Sequence, residues 1–163
     1  MGSIAVSTLA MASVVFHIYL IFTGLLPNLM TRPLHLALAL PWVFVVGNKD
    51  RGVQKWMGYG LCGIGLFGCF FIAFYRDRLG DQYGSIEGTG QLFLAIGLIL
   101  VVLEMARRSI KLALPTVAVF ALAYGFFGQY IPGEFGHSGI PIDSFLGTLV
   151  VAEGGIWGQL TGV

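Results

Sequence analysis

Charged residues are scarce in this chain, and their scarcity excludes a water-soluble domain. Of its 163 residues, 10% are charged and 56% are hydrophobic, whereas a soluble domain carries about 25% charged residues. With so few charges a soluble protein could not cover its surface, and the mean hydropathy of +0.85 points the same way. The net charge of +1 is too small to suggest a nucleic-acid partner. The composition indicates a membrane protein.

Cysteine is scarce as well, and the two that occur form neither a disulfide nor a metal site. Cys62 and Cys69 lie in one apolar segment. Seven positions along a helix are two turns, roughly 10 Å, which is too far for a disulfide. Neither has a His or Cys neighbour at metal-ligand spacing. Both are predicted to be small packing residues, and no cofactor is expected in this chain.

Motifs for catalysis are missing from the sequence. The run GYGLCGIG has no Lys-Ser or Lys-Thr after it, and neither H-E-x-x-H nor G-x-S-x-G occurs. Ionisable groups within apolar segments are few. His17 is predicted to be a helix-packing hydrogen bonder, His35 to lie near the headgroups, and Glu104 to pair with Arg108 at i,i+4. No enzyme is predicted.

Five stretches are apolar enough to cross a bilayer, for which a helix needs about 20 residues. They are residues 3–26, 32–47, 56–75, 89–106 and 112–131. The first lacks the basic start of a signal peptide, so we expect a retained span. The second is short and holds Pro41. A crossing is the preferred interpretation, with an interfacial or re-entrant segment as the alternative.

The Gly-rich tail is expected to form no span. Asp143 or Ser144 could cap a helix over about residues 145–152, which is too short to cross and would lie on the surface or in the interface. The predicted fold is therefore all-α: a polytopic membrane protein with about five transmembrane helices plus a short C-terminal interfacial helix.

The basic residues predict how the chain is oriented, because short cytoplasmic loops collect Lys and Arg. With the N-terminus inside, two cytoplasmic loops hold six predicted anchors beside anionic lipid headgroups, each contributing about 1 kcal/mol: Lys49, Arg51, Lys55, Arg107, Arg108 and Lys111. The opposite side then holds Arg32, Arg76 and Arg78. Three crossings after a re-entrant second segment, with the N-terminus outside, also fit this distribution.

The third span carries small residues at helical spacing. Gly58, Cys62, Gly65 and Cys69 share one face, since steps of four, three and four keep to one side of a helix. Such a face lets membrane helices approach closely. It predicts tight helix contact, with a partner in this chain or in another.

Three stretches together resemble the small membrane part of a TRAP (tripartite ATP-independent periplasmic) transporter permease. RPLHLALALPWVFV followed by a basic loop resembles the start of that part. EMARRSIKLALPTVAVFALAYGFFGQYIPG looks like the junction of small and large parts in fused permeases of the TAXI type. LVVAEGGIWGQLTGV is similar to the E-G-I-[FW]-G-x-x-x-G-V run that begins the large part, with Gly155 as an extra residue.

This resemblance implies a static scaffold in the inner membrane of a prokaryote. In that family a TAXI-type periplasmic binding protein delivers an organic anion. The large permease part carries the substrate and Na⁺ sites and moves as an elevator, driven by an ion gradient. No substrate residue can be placed in this chain. A docking surface for the binding protein is expected at Arg76, Asp77, Arg78 and Asp81, with the loop 133–141.

The resemblance divides the chain into a helical bundle over 1–131 and, over 132–163, a periplasmic loop, the interfacial helix and the start of the junction. Whether the chain is a separate subunit or a piece of a fused permease stays open. The alternative function is an accessory multi-span subunit of an unrelated membrane complex. A membrane enzyme would need polar groups clustered at one depth.

Overall fold

The computed structural model describes residues 3–24, 26–48, 51–110 and 112–158. Helix makes up 77% of the structure, and no strand occurs in these ranges. The helices are α1 (Ser3–Thr23), α2 (Asn28–Pro41), α3 (Val53–Phe74), α4 (Arg76–Asp81), α5 (Gly88–Ile110), α6 (Ala113–Phe127) and α7 (Ile142–Val150).

Five helical stretches have the length and apolarity to cross a membrane. They are Ile4–Thr23, Asn28–Val46, Val53–Phe74, Gly88–Ile110 and Ala113–Tyr130. The prediction of an all-helical chain with five candidate spans is confirmed. An orientation in the membrane stays a prediction.

The second span begins at Asn28, four residues earlier than expected. Pro27 precedes it with φ −57° and ψ 143°, so the helix starts directly after a proline. Arg32 lies inside the helix, and its guanidinium donates to the backbone carbonyl of Trp157, far away in the sequence. The span is therefore longer than its apolar run.

The same span changes its helical geometry after Pro41. Residues Trp42–Val46 form a π-helical segment, in which the N–H of Gly47 donates to the carbonyl of Trp42, five residues earlier, at 2.7 Å. Proline lacks an N–H and its ring crowds the preceding turn, which is a known cause of such local changes. The chain stays helical through Pro41, and the span reaches 19 residues.

The core lies among α2, α3 and α5, and the tail completes it. Leu40, Phe44, Leu98 and Val101 are fully buried there. Trp157 is also fully buried, and its indole N–H donates to the carbonyl of Val150 at 2.5 Å. Residues of the predicted 132–163 segment therefore share one hydrophobic core with the bundle.

α1 lies at the edge of the bundle. None of the residues in its apolar window is buried, and Phe22, at the end of the helix, is 85% exposed. Its partly covered positions, including residues 6, 9, 13, 16 and 20, recur at helical spacing and mark one contact face. The remaining surface is apolar, as expected for contact with hydrocarbon or another membrane subunit.

Two short helices differ from the sequence-based expectation. α7 begins at Ile142 after Pro141, with no side-chain cap, so neither Asp143 nor Ser144 is its N-cap as expected. Its inner face buries Leu146 and Val150, and its position in a membrane interface stays a prediction. The segment between the third and fourth spans, expected to be a loop, contains α4, which is anchored by the buried side chain of Leu79.

Candidate functional site

The described basic residues of the predicted cytoplasmic loops, Arg51, Lys55, Arg107 and Arg108, lie at one end of the bundle. A Cβ on Gly58 would lie 3.4 Å from a terminal nitrogen of Arg108, so the end of α5 sits beside the first turns of α3. Arg51 and Lys55 belong to that same region. The ammonium of Lys55 lies 5.8 Å from the centroid of the Tyr59 ring, within cation–π range. Lys49 and Lys111 lie outside the described residues.

Glu104 binds both arginines in the last turns of α5. Its two oxygens accept from Nε and Nη2 of Arg107 and from Nε of Arg108, each at 2.7 Å. The Arg108 guanidinium also lies 5.2 Å from the centroid of the Phe44 ring. The expected i,i+4 pair is thus part of a three-residue cluster. The formal charges of Glu104, Arg107 and Arg108 sum to one positive charge.

The small-residue face of α3 packs inside this chain. Gly58, Cys62, Gly65 and Cys69 are all buried, and both cysteines are free thiols. A Cβ on Gly65 would lie 2.7 Å from Cδ1 of Leu40, on α2. The face therefore meets neighbouring helices of its own bundle.

The predicted docking residues lie on and beside α4, at the opposite end. Arg76 pairs with Asp77 at 3.3 Å and reaches the sulfur of Met30 at 3.1 Å. The Arg78 guanidinium is 3.9 Å from Glu87 and mostly exposed. Asp81 is exposed as well. Exposed pairs contribute about 0–1 kcal/mol to stability, so these charges are available to a partner at little structural cost.

Two histidines for which the sequence suggests separate roles meet between the first two spans. Nε2 of His17 lies 2.8 Å from Nδ1 of His35, and Nδ1 of His17 lies 2.6 Å from the carbonyl oxygen of Ser13. A carbonyl only accepts, so His17 donates through Nδ1. In the neutral pair its Nε2 then accepts from Nδ1–H of His35. We call these two residues the histidine pair.

The histidine pair lies below the turn that joins α1 and α2. His17 is six residues before Thr23, the last residue of α1, and His35 is seven after Asn28, the first of α2. At 1.5 Å per residue, both rings are about 10 Å from that end of the bundle. His35 lies inside the second candidate span, seven residues after its start, and its position relative to the headgroups stays a prediction. The near-equal distances from the turn were the available signal in the sequence.

A third histidine fastens the loop that follows α6. Nδ1 of His137 lies 2.7 Å from the carbonyl of Ser138, and Nε2 lies 3.1 Å from that of Tyr124. The phenol of Tyr124 donates to the carbonyl of Phe135 at 2.8 Å. The two carbonyl partners, that of Ser138 first, raise the pKa of His137 above its usual 6.5, because both ring nitrogens donate only in the imidazolium. The loop is therefore held most firmly when His137 is protonated.

The described part of the chain contains no group of three or more His, Cys, Asp or Glu side chains able to hold a metal ion. The polar side chains described above join helices, place charge at the two ends of the bundle and form a charged surface on α4. No model of a known protein family, no curated protein and no solved structure matches the chain.

Proposed function

We propose that this chain is the small membrane part of a TRAP transporter permease. In this role it braces a large elevator part and helps a TAXI-type periplasmic protein to dock. Uptake of an organic anion, driven by an ion gradient, is then a property of the assembly. The membrane is the inner membrane of a prokaryote.

The main support for this proposal is one hydrogen bond between two stretches that resemble the family. Arg32 opens the stretch that resembles the start of the small part, and Trp157 belongs to the stretch that is similar to the junction with the large part. They are 125 residues apart, and the guanidinium of Arg32 donates to the carbonyl of Trp157. Since Trp157 is fully buried in the same core as α2, the stretches that resemble the family belong to one packed unit. That is the arrangement a bracing scaffold requires.

The placement of ionisable groups supports a scaffold over a carrier. Among the Asp, Glu, Lys, Arg and His side chains of the described spans, His17, His35 and Glu104 lie six or seven residues from the nearer span end, and the others lie closer to an end. Glu104 is paired with Arg107 and Arg108, so the described spans offer few polar groups to a substrate. A path for an organic anion and its coupling ion needs polar groups facing a cavity at membrane depth. We therefore assign substrate and Na⁺ binding to the large part.

Reconstitution into proteoliposomes tests the proposal. The chain is co-expressed with a large permease part and a TAXI-type binding protein from the same source, and uptake of a labelled organic acid is measured under an inward Na⁺ gradient. We expect uptake when all three are present and none from this chain alone. Equal uptake by the large part without this chain would contradict the scaffold role.

Purification from native membranes distinguishes the transporter from the alternative function, an accessory subunit of an unrelated membrane complex. A tagged chain should carry with it a multi-span protein with the elevator topology. Isolation with the subunits of a respiratory or another unrelated complex instead would favour an accessory subunit of that complex and would count against the transporter.

A further inference from the structure

A groove of about 810 Å³ runs between α3, α5 and α6. Its volume is within the range of about 300–1,000 Å³ that small-molecule sites occupy. The lining changes along its length. Gln54, Glu104, Arg107 and Arg108 line it at the basic end of the bundle. We call this polar end the mouth of the groove.

Beyond the mouth the walls are apolar. Leu61 from α3, Leu100 from α5, and Val119 and Phe120 from α6 line this deeper part. Leu61 lies seven positions from Gln54, and Leu100 lies four from Glu104 and seven from Arg107. Val119 and Phe120 lie seven and eight positions from Leu112, the residue before α6. At 1.5 Å per residue, the walls extend about 10–12 Å from the mouth. The hydrocarbon core is about 30 Å thick, so the groove is confined to one leaflet.

The charge at the mouth is positive and fixed in place. Arg107 and Arg108 are guanidinium cations, and the Glu104 carboxylate pairs with both. The Arg108 side chain is only 14% exposed, and Glu104 and the Phe44 ring hold it against the groove wall. The Arg108 guanidinium is thus part of the groove lining, whereas the Arg107 side chain is 48% exposed at its rim.

We propose that this groove binds one anionic phospholipid. The phosphate lies at the mouth beside Arg107 and Arg108, and an acyl chain runs along Leu61, Leu100 and Val119. An anion complements the excess charge, the apolar walls match a hydrocarbon chain, and Val119 is 51% exposed, so a lipid can enter sideways from the bilayer. Basic pockets between helices on the cytoplasmic side are known to bind anionic headgroups. Such a site would exist whichever complex the chain joins.

Native mass spectrometry of the purified protein tests the site. Phosphatidylglycerol and phosphatidylcholine with the same acyl chains are titrated in detergent. We expect preferential retention of phosphatidylglycerol, reduced about fivefold for each guanidinium removed in Arg107→Gln and Arg108→Gln. The matched control, Arg76→Gln with Arg78→Gln, removes the same charge at the opposite end and should retain lipid as the wild type does. Equal retention of both lipids, or an equal loss in the control, would overturn the proposal.

A second variant leaves every charge in place, because loss of both arginines could unfold the end of α5. Val119→Trp fills the groove, while Val117→Trp puts the same ring on α6 outside its lining. Val119→Trp should lose phosphatidylglycerol, and Val117→Trp should keep it. Unchanged retention in Val119→Trp would refute the site. A photo-reactive residue at position 119 should label lipid in native membranes, and labelling of a partner protein instead would also refute it.

Discussion

Gly65 is the position where one added methyl group tests the packing of the bundle most sharply. A Cβ there would lie 2.7 Å from Cδ1 of Leu40 on α2 and 2.9 Å from Cγ1 of Val101 on α5. Both distances are shorter than real Cβ contacts. Leu40 and Val101 are fully buried, and a β-branched valine has little freedom at χ1. Alanine at this position therefore requires that the side chains of Leu40 and Val101, or the helices that carry them, move away from α3.

Overpacking of this kind costs about 1–3 kcal/mol in a well-packed core. Replacing glycine by alanine inside a helix also stabilises by about 1 kcal/mol, so Gly65→Ala should change the free energy of unfolding by a net loss of about 0–2 kcal/mol. Gly63→Ala, on the same helix, places its Cβ where nothing lies within 4 Å. It keeps the helix-propensity gain without the clash. Comparing the two variants isolates a packing cost of about 1–3 kcal/mol.

The assay is reversible unfolding in mixed micelles, followed by tryptophan fluorescence or circular dichroism as the fraction of denaturing detergent rises. We expect Gly65→Ala to unfold at a lower fraction than the wild type, or at the same one, and Gly63→Ala at an equal or higher one. If both variants had the same free energy of unfolding, α3 would not be wedged between α2 and α5 as described.

Three further predictions concern the polar groups. A double-mutant cycle of His17→Leu and His35→Leu should show a coupling of about 0.6 kcal/mol, the mean for interhelical hydrogen bonds in membranes; additive effects would exclude the bond. Hydrogen exchange in loop 133–139, corrected for the intrinsic pH dependence of exchange, should be slowest below pH 6.5. It should accelerate as the pH rises through the elevated pKa of His137, because the protonated ring stabilises the docked loop and the neutral ring does not. His137→Gln should remove this dependence, and a wild-type loop insensitive to pH would disprove the role. Arg76→Glu with Arg78→Glu should weaken binding-protein-dependent uptake at normal expression, and unchanged uptake would reject the docking surface.

The spans were predictable because each depends on its own residues. A run of about 20 apolar residues must be helical in hydrocarbon whatever surrounds it, and the spacing of Gly58, Cys62, Gly65 and Cys69 showed which side of α3 would be buried. The partner of that face was not predictable. It required knowing that Leu40 and Val101, from segments far apart in the sequence, converge on one glycine.

The features that the sequence did not predict likewise depend on contacts between distant residues or across a turn. Arg32, inside α2, donates a hydrogen bond to Trp157, and no local pattern predicts a bond across 125 residues. The histidine pair joins two helices across a turn, so each histidine taken alone suggested a separate role. α7 begins at Ile142, directly after Pro141, and so earlier than a cap at Asp143 or Ser144 predicts.

The most direct test of the account is which side of the membrane each end of the bundle faces. Ser109→Cys lies beside the basic cluster of α5, and Asp81→Cys lies at the end of α4, while the native thiols Cys62 and Cys69 are buried and should stay unlabelled. A membrane-impermeant maleimide should label Asp81→Cys in intact cells and Ser109→Cys only after permeabilisation. Labelling of both in intact cells, or the reverse order, would contradict a chain that crosses the membrane five times with its basic end in the cytoplasm.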